Sequence, residues 1–83
     1  MTQVIIEVPD DMLLALKVTT ERLGDELRLA AAVKFFEVGR LSSGAAARLA
    51  GLPVPLFLAK LADYGVAALR LTEAEIREDP QGA

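Results

Sequence analysis

The stretch DELRLAAAVKFFEVG, residues 25–39, constrains this chain most, because it is apolar on two sides at helical spacing. At about 100° per residue, Leu27, Ala31, Phe35 and Val38 line one side, and Leu29, Ala32, Val33 and Phe36 line a second. Glu26, Lys34, Glu37 and Arg40 share the sector left over. A surface helix carries one apolar stripe, whereas a helix with two is covered from both directions. Gly24 is expected to break the preceding helix, Asp25 to cap this one, and Gly39 to close it with positive φ. The segments before and after residues 25–39 are both expected to pack on it.

A length of 83 residues makes one small domain, residues 1–83, that buries too little surface to be comfortably stable alone. Apolar residues make up 53% of the chain before glycine is counted, against roughly 45–50% with glycine included in an ordinary domain. That excess predicts a homodimer, or a hydrophobic face kept for another protein. The chain has no cysteine and no histidine. A disulfide framework, a thiolate nucleophile and the commonest general base and metal ligand are thereby excluded, and no cofactor or metal is expected. The first residues, MTQVIIEVPDD, lack the basic start and long apolar core of a signal peptide. The apolar run LAGLPVPLFLA is too short to span a bilayer and holds two prolines. A soluble, cytoplasmic protein with no membrane partner is the expectation.

The net charge of −3 is unevenly placed: residues 1–71 hold eight acidic and eight basic side chains, and the excess lies in residues 72–83. A neutral body without a Lys/Arg run is a weak start for nucleic-acid binding.

Residues 3–8, QVIIEV, alternate Val4, Ile6 and Val8 with Gln3, Ile5 and Glu7, as a strand does. Pro9 ends that run, and Asp10 or Asp11 can cap a helix over about residues 10–23, with Met12, Leu16 and Leu23 on one face. A lone strand needs a partner for its backbone and its apolar face. The order strand, helix, helix over residues 3–39 resembles the ribbon-helix-helix repressors and antitoxins, which pair this strand between two copies. The resemblance implies dimerisation through Val4, Ile6, Val8, Phe35 and Phe36. It also implies a groove-reading side made of Gln3, Ile5 and Glu7. A strand that completes a small sheet within one subunit accounts for the same pattern.

The segment SSGAAARLAG follows at residues 42–51. Ser42 or Ser43 can cap a short helix over residues 45–50, Gly51 can close it, and Pro53 opens a second helix over residues 54–64. This is a helix-turn-helix layout, with Ala46, Ala47, Ala50, Leu52 and Phe57 at its contact positions. The outward residues of its second helix, Val54, Pro55, Leu58, Ala59 and Ala62, cannot make bidentate base contacts. Arg40, Ser42, Ser43, Arg48 and Lys60 are the candidate DNA contacts. A plain helical hairpin packed on residues 25–39 is the alternative. Residues 66–71, VAALRL, read as a short strand, and Thr72 with Glu75 as a capping box before an acidic tail. The expected fold is therefore mainly α. A strand-helix-helix dimerisation part (1–40) precedes a helix-turn-helix (41–64), and a short strand and tail (65–83) follow.

LSSGAAARLAGL together with FLAKLADYGVAALRLTEAEIRED resembles a small prokaryotic family of antitoxin-like helix-turn-helix proteins encoded beside PIN-domain ribonucleases. The resemblance covers about residues 4–79. It departs at Pro53–Val54–Pro55, where relatives carry polar or basic residues. It implies a protein that binds and inhibits a PIN-domain toxin, forms a homodimer, and represses its operon by binding operator DNA. Arginines entering a nuclease's carboxylate-held metal site would come from Arg70 and Arg77, set among Leu69, Leu71 and Ile76. An enzyme is disfavoured: Ser42 and Ser43 have no histidine to act as base, and Gly39 and Gly44 form no phosphate loop. The alternative is a protein–protein interaction module that binds no DNA.

Overall fold

The computed structural model describes residues 1–67, as four helices: α1 (Asp11–Leu16), α2 (Thr20–Glu37), α3 (Ser43–Ala50) and α4 (Val54–Asp63). The helix-turn-helix layout is present, but the mixed fold expected from the sequence is corrected, since no strand occurs among the described residues. Residues 3–8 precede α1 without regular secondary structure. Their alternation is real, but an isolated strand has no ladder to complete. The ribbon-helix-helix-like start is thus replaced by an irregular segment, a short helix and a long one. The expected C-terminal strand falls mostly on residues 68–71, outside the described residues, and Val66 and Ala67 are in none.

The first helix is also shorter than its apolar pattern suggested. It stops at Leu16, and α2 begins at Thr20 and runs through Gly24 and Asp25. A glycine inside a helix costs only about 1 kcal/mol relative to alanine, which the 18-residue α2 absorbs. The break moves instead to Lys17, Val18 and Thr19. Lys17 is left-handed (φ 59°), and Thr19 is extended ahead of the first turn of α2. Two β-branched residues in sequence lose rotamer freedom in a helix and favour such a break.

All four helices end in one hydrogen-bond pattern. In α3 the Gly51 N–H donates to the Arg48 carbonyl (3.1 Å) and the Leu52 N–H to the Ala47 carbonyl (2.9 Å). The corresponding pairs recur at Lys17–Val18, Gly39–Arg40 and Gly65–Val66. These are Schellman closures, which require a left-handed residue and so favour glycine. Gly39 therefore closes α2 as its position in the sequence suggested. Only α1 closes with a side-chain-bearing residue.

The core is one cluster: Ala32, Val33 and Phe36 from α2, Ala46 and Ala47 from α3, Phe57 and Leu61 from α4, and Val66. Alanines on α3 let its backbone approach α2 closely, and Phe57 fills the space between the outer helices. Leu29, Leu41, Leu52 and Leu58 pack around this cluster. Burial of this apolar surface is the main force holding the three helices together. Only one of the two apolar sides of α2 is closed in this way. The side carrying Leu27, Ala31 and Phe35 is half-buried, and α1 buries no residue at all.

Candidate functional site

Helices α3 and α4 turn by 86° about Gly51, Leu52 and Pro53, close to the ~90–120° of a helix-turn-helix. Their sequence dictates the turn. The Ser42 hydroxyl accepts from the Ala45 N–H at 3.2 Å and caps α3. Gly51 is left-handed (φ 75°), and Pro53 precedes the first turn of α4 in an extended conformation. Phe36 and Phe57 meet edge to face across the unit, which fixes α4 against α2.

The candidate DNA contacts are not one cluster. Arg40 and Arg48 line a single cleft with Phe35, Leu41, Ala45 and Leu49. The Arg40 guanidinium stands 5.1 Å from the centre of the Phe35 ring, in cation–π geometry. Ser42 is half-buried and occupied as a cap. Ser43 is buried, 1% exposed, and lies inside the fold rather than on its surface. Lys60 lies in a different cleft, with Arg22, Asp25, Glu26 and Arg28 around the Gly51 turn. Of the residues expected to face outward from α4, Pro55, Ala59 and Ala62 are exposed, whereas Val54 and Leu58 turn inward and pack against the core; Leu56 is exposed instead, and none of the exposed four carries a hydrogen-bonding side chain.

The residues assigned to dimerisation divide in two. Val4, Ile6, Val8 and Phe35 line one groove of about 600 Å³ along the open side of α2. Phe36 lies on the opposite side, inside the core. Leu69, Arg70, Leu71, Ile76 and Arg77, the candidate partner contacts, lie outside the described residues.

Arg28 is a residue that sequence reasoning did not single out. Its Nε donates to the Leu49 carbonyl at 2.8 Å, tying α2 to the last turn of α3. It lines both the α2 groove and the cleft at the Gly51 turn. Its position between the two apolar stripes of α2 was the available signal. Tyr64, just after α4, has its pKa raised above 10.0 by partial burial, then by the charges of Glu26 and Asp63. Its phenol therefore stays protonated near neutral pH.

Among the described residues no group of three or more metal-ligating side chains occurs. No single helix there is long and apolar enough to cross a membrane. No curated protein and no solved structure matches the chain. The profile of one family spans residues 1–83, and the chain belongs to that family, the uncharacterised protein family UPF0175.

Proposed function

We propose that this chain is an antitoxin-like regulatory protein that binds and inhibits a PIN-domain ribonuclease and touches its own operator DNA through the helix-turn-helix. The observation that carries the reading is the α3–turn–α4 unit, bent by 86° and braced on α2. The DNA contact it supports is of one kind. Arg40 and Arg48 share a cleft and can neutralise phosphates, while α4 presents Pro55, Leu56, Ala59 and Ala62, which read no base edge. Phosphate contacts position a protein on DNA, so discrimination between sequences has to come from the assembled complex with the nuclease.

The same apolar outward face of α4 favours a second reading, an interaction module that binds protein and no DNA. Fluorescence anisotropy on the duplex upstream of the gene separates the two. The first predicts binding, by the chain or by its nuclease complex, that weakens steeply with salt. The second predicts no binding to DNA at any salt concentration.

A further inference from the structure

The open side of α2 forms the floor of a groove through Leu27, Ala31 and Phe35, and Val4, Ile6 and Val8 of the N-terminal segment form its wall. We infer that this groove is a homodimer interface, in which residues 2–8 of each copy lie in the groove of the other.

The wall is only partly covered by its own groove: Val8 is half-buried, but Val4 is 75% and Ile6 65% exposed. Apolar side chains aligned on a groove and still in water leave a large gain unrealised, and a second chain realises it. Two observations favour a copy of this chain as the occupant. A two-fold interface brings one patch against itself, so the patch must hold both a ridge and a groove. This patch does, because an alternating segment borders a helical trough. The charges also match in sign. Arg28 is the only charged side chain lining the groove, and Glu7 is the only one in residues 1–9. Reciprocal seating sets a segment whose one charged side chain is acidic against a groove whose one charged side chain is basic, whereas a basic segment would meet like charge there. The inference needs neither DNA nor a nuclease, so its failure leaves the functional proposal standing.

Light scattering during gel filtration of the purified chain tests it. The wild-type protein is expected to run at twice the 8.9 kDa chain mass. Ile6→Ser and Ala31→Glu are each expected to lose the dimer. Ile6 precedes the first helix, so its substitution leaves the helical core intact, and circular dichroism verifies this. Leu56→Ser, on the exposed side of α4, is expected to remain dimeric. The natural absence of cysteine permits a second measurement. An oxidised double variant carrying Ile6→Cys and Ala31→Cys is expected to form a covalent dimer on a non-reducing gel. A monomeric wild-type protein would overturn the inference and leave the groove to a different protein. A dimer that survives Ile6→Ser, or a disulfide that forms only within one chain, would overturn it equally.

Discussion

Phe36 of α2 and Phe57 of α4 meet edge to face, with ring centres 6.1 Å apart and planes at 88°. Through this contact the helix-turn-helix is braced on the central helix, because Phe57 is fully buried within the cluster that α2, α3 and α4 share. Aromatic pairs in this geometry add about 0.5–1.5 kcal/mol beyond the area they bury. Phe57→Ala is expected to cost about 3–5 kcal/mol, enough to leave a domain of this size largely unfolded. Phe57→Leu is expected to cost about 1.5 kcal/mol or less. Urea titrations followed by circular dichroism measure both, and a Phe57→Leu loss near zero would mean that the ring contact is not the brace.

Two left-handed helix ends make opposite predictions. Lys17 closes α1 at φ 59° with a full side chain, and Gly51 closes α3 at φ 75°. Lys17→Gly is expected to strengthen the end of α1 by about 0.5–1 kcal/mol. The gain should appear as slower amide exchange at Lys17 and Val18. Gly51→Ala is expected to destabilise the domain by about 1–2 kcal/mol. Its new Cβ would stand 3.4 Å from the Arg28 guanidinium, at the near edge of ordinary contact, so the loss comes from the left-handed backbone.

Ser42 is the only cap residue with a side-chain hydrogen bond among the four described helices. Ser42→Ala is expected to cost about 0.5–2 kcal/mol, and Ser42→Asp to retain most of that stability. Thermal unfolding of the pair checks the assignment. Equal losses in both variants would show that the hydroxyl acts in some way other than as a helix cap.

The phosphate reading is testable one arginine at a time. Arg40→Ala and Arg48→Ala are each expected to lower the slope of log K against log salt by about 0.9 on duplex DNA. Both should weaken binding to unrelated sequences by the same factor as binding to the operator. Sequence-dependent losses would instead indicate base contacts from these side chains.

Much of the helix-turn-helix was legible in the sequence because its signals are local. Ser42, Gly51 and Pro53 each act on the backbone within a few residues, and the structure has them at the expected helix ends. The alanines of α3 and Phe57 were legible as contact positions because helical spacing fixes which residues share a face. The N-terminal part was not legible for the opposite reason. The alternation of Val4, Ile6 and Val8 suits a ladder strand and suits equally a segment laid beside a groove. Only a partner edge decides between them, and residues 1–67 contain no strand to provide one. Gly24 misled because a helix break depends on the balance along the whole helix, and α2 is long enough to carry one glycine. The cleft that joins Arg40 to Arg48 is a tertiary feature, and no spacing rule brings those two residues together.

The central proposal, that this chain silences a PIN-domain ribonuclease, predicts a gene for such a nuclease beside its own, and titrating that nuclease in isolated form tests it most directly. RNA cleavage would be followed as the folded chain is added. Activity is expected to fall to background at a fixed stoichiometric ratio, with the two proteins then co-migrating as one complex. Cleavage that continues unchanged in the presence of excess folded chain would contradict it.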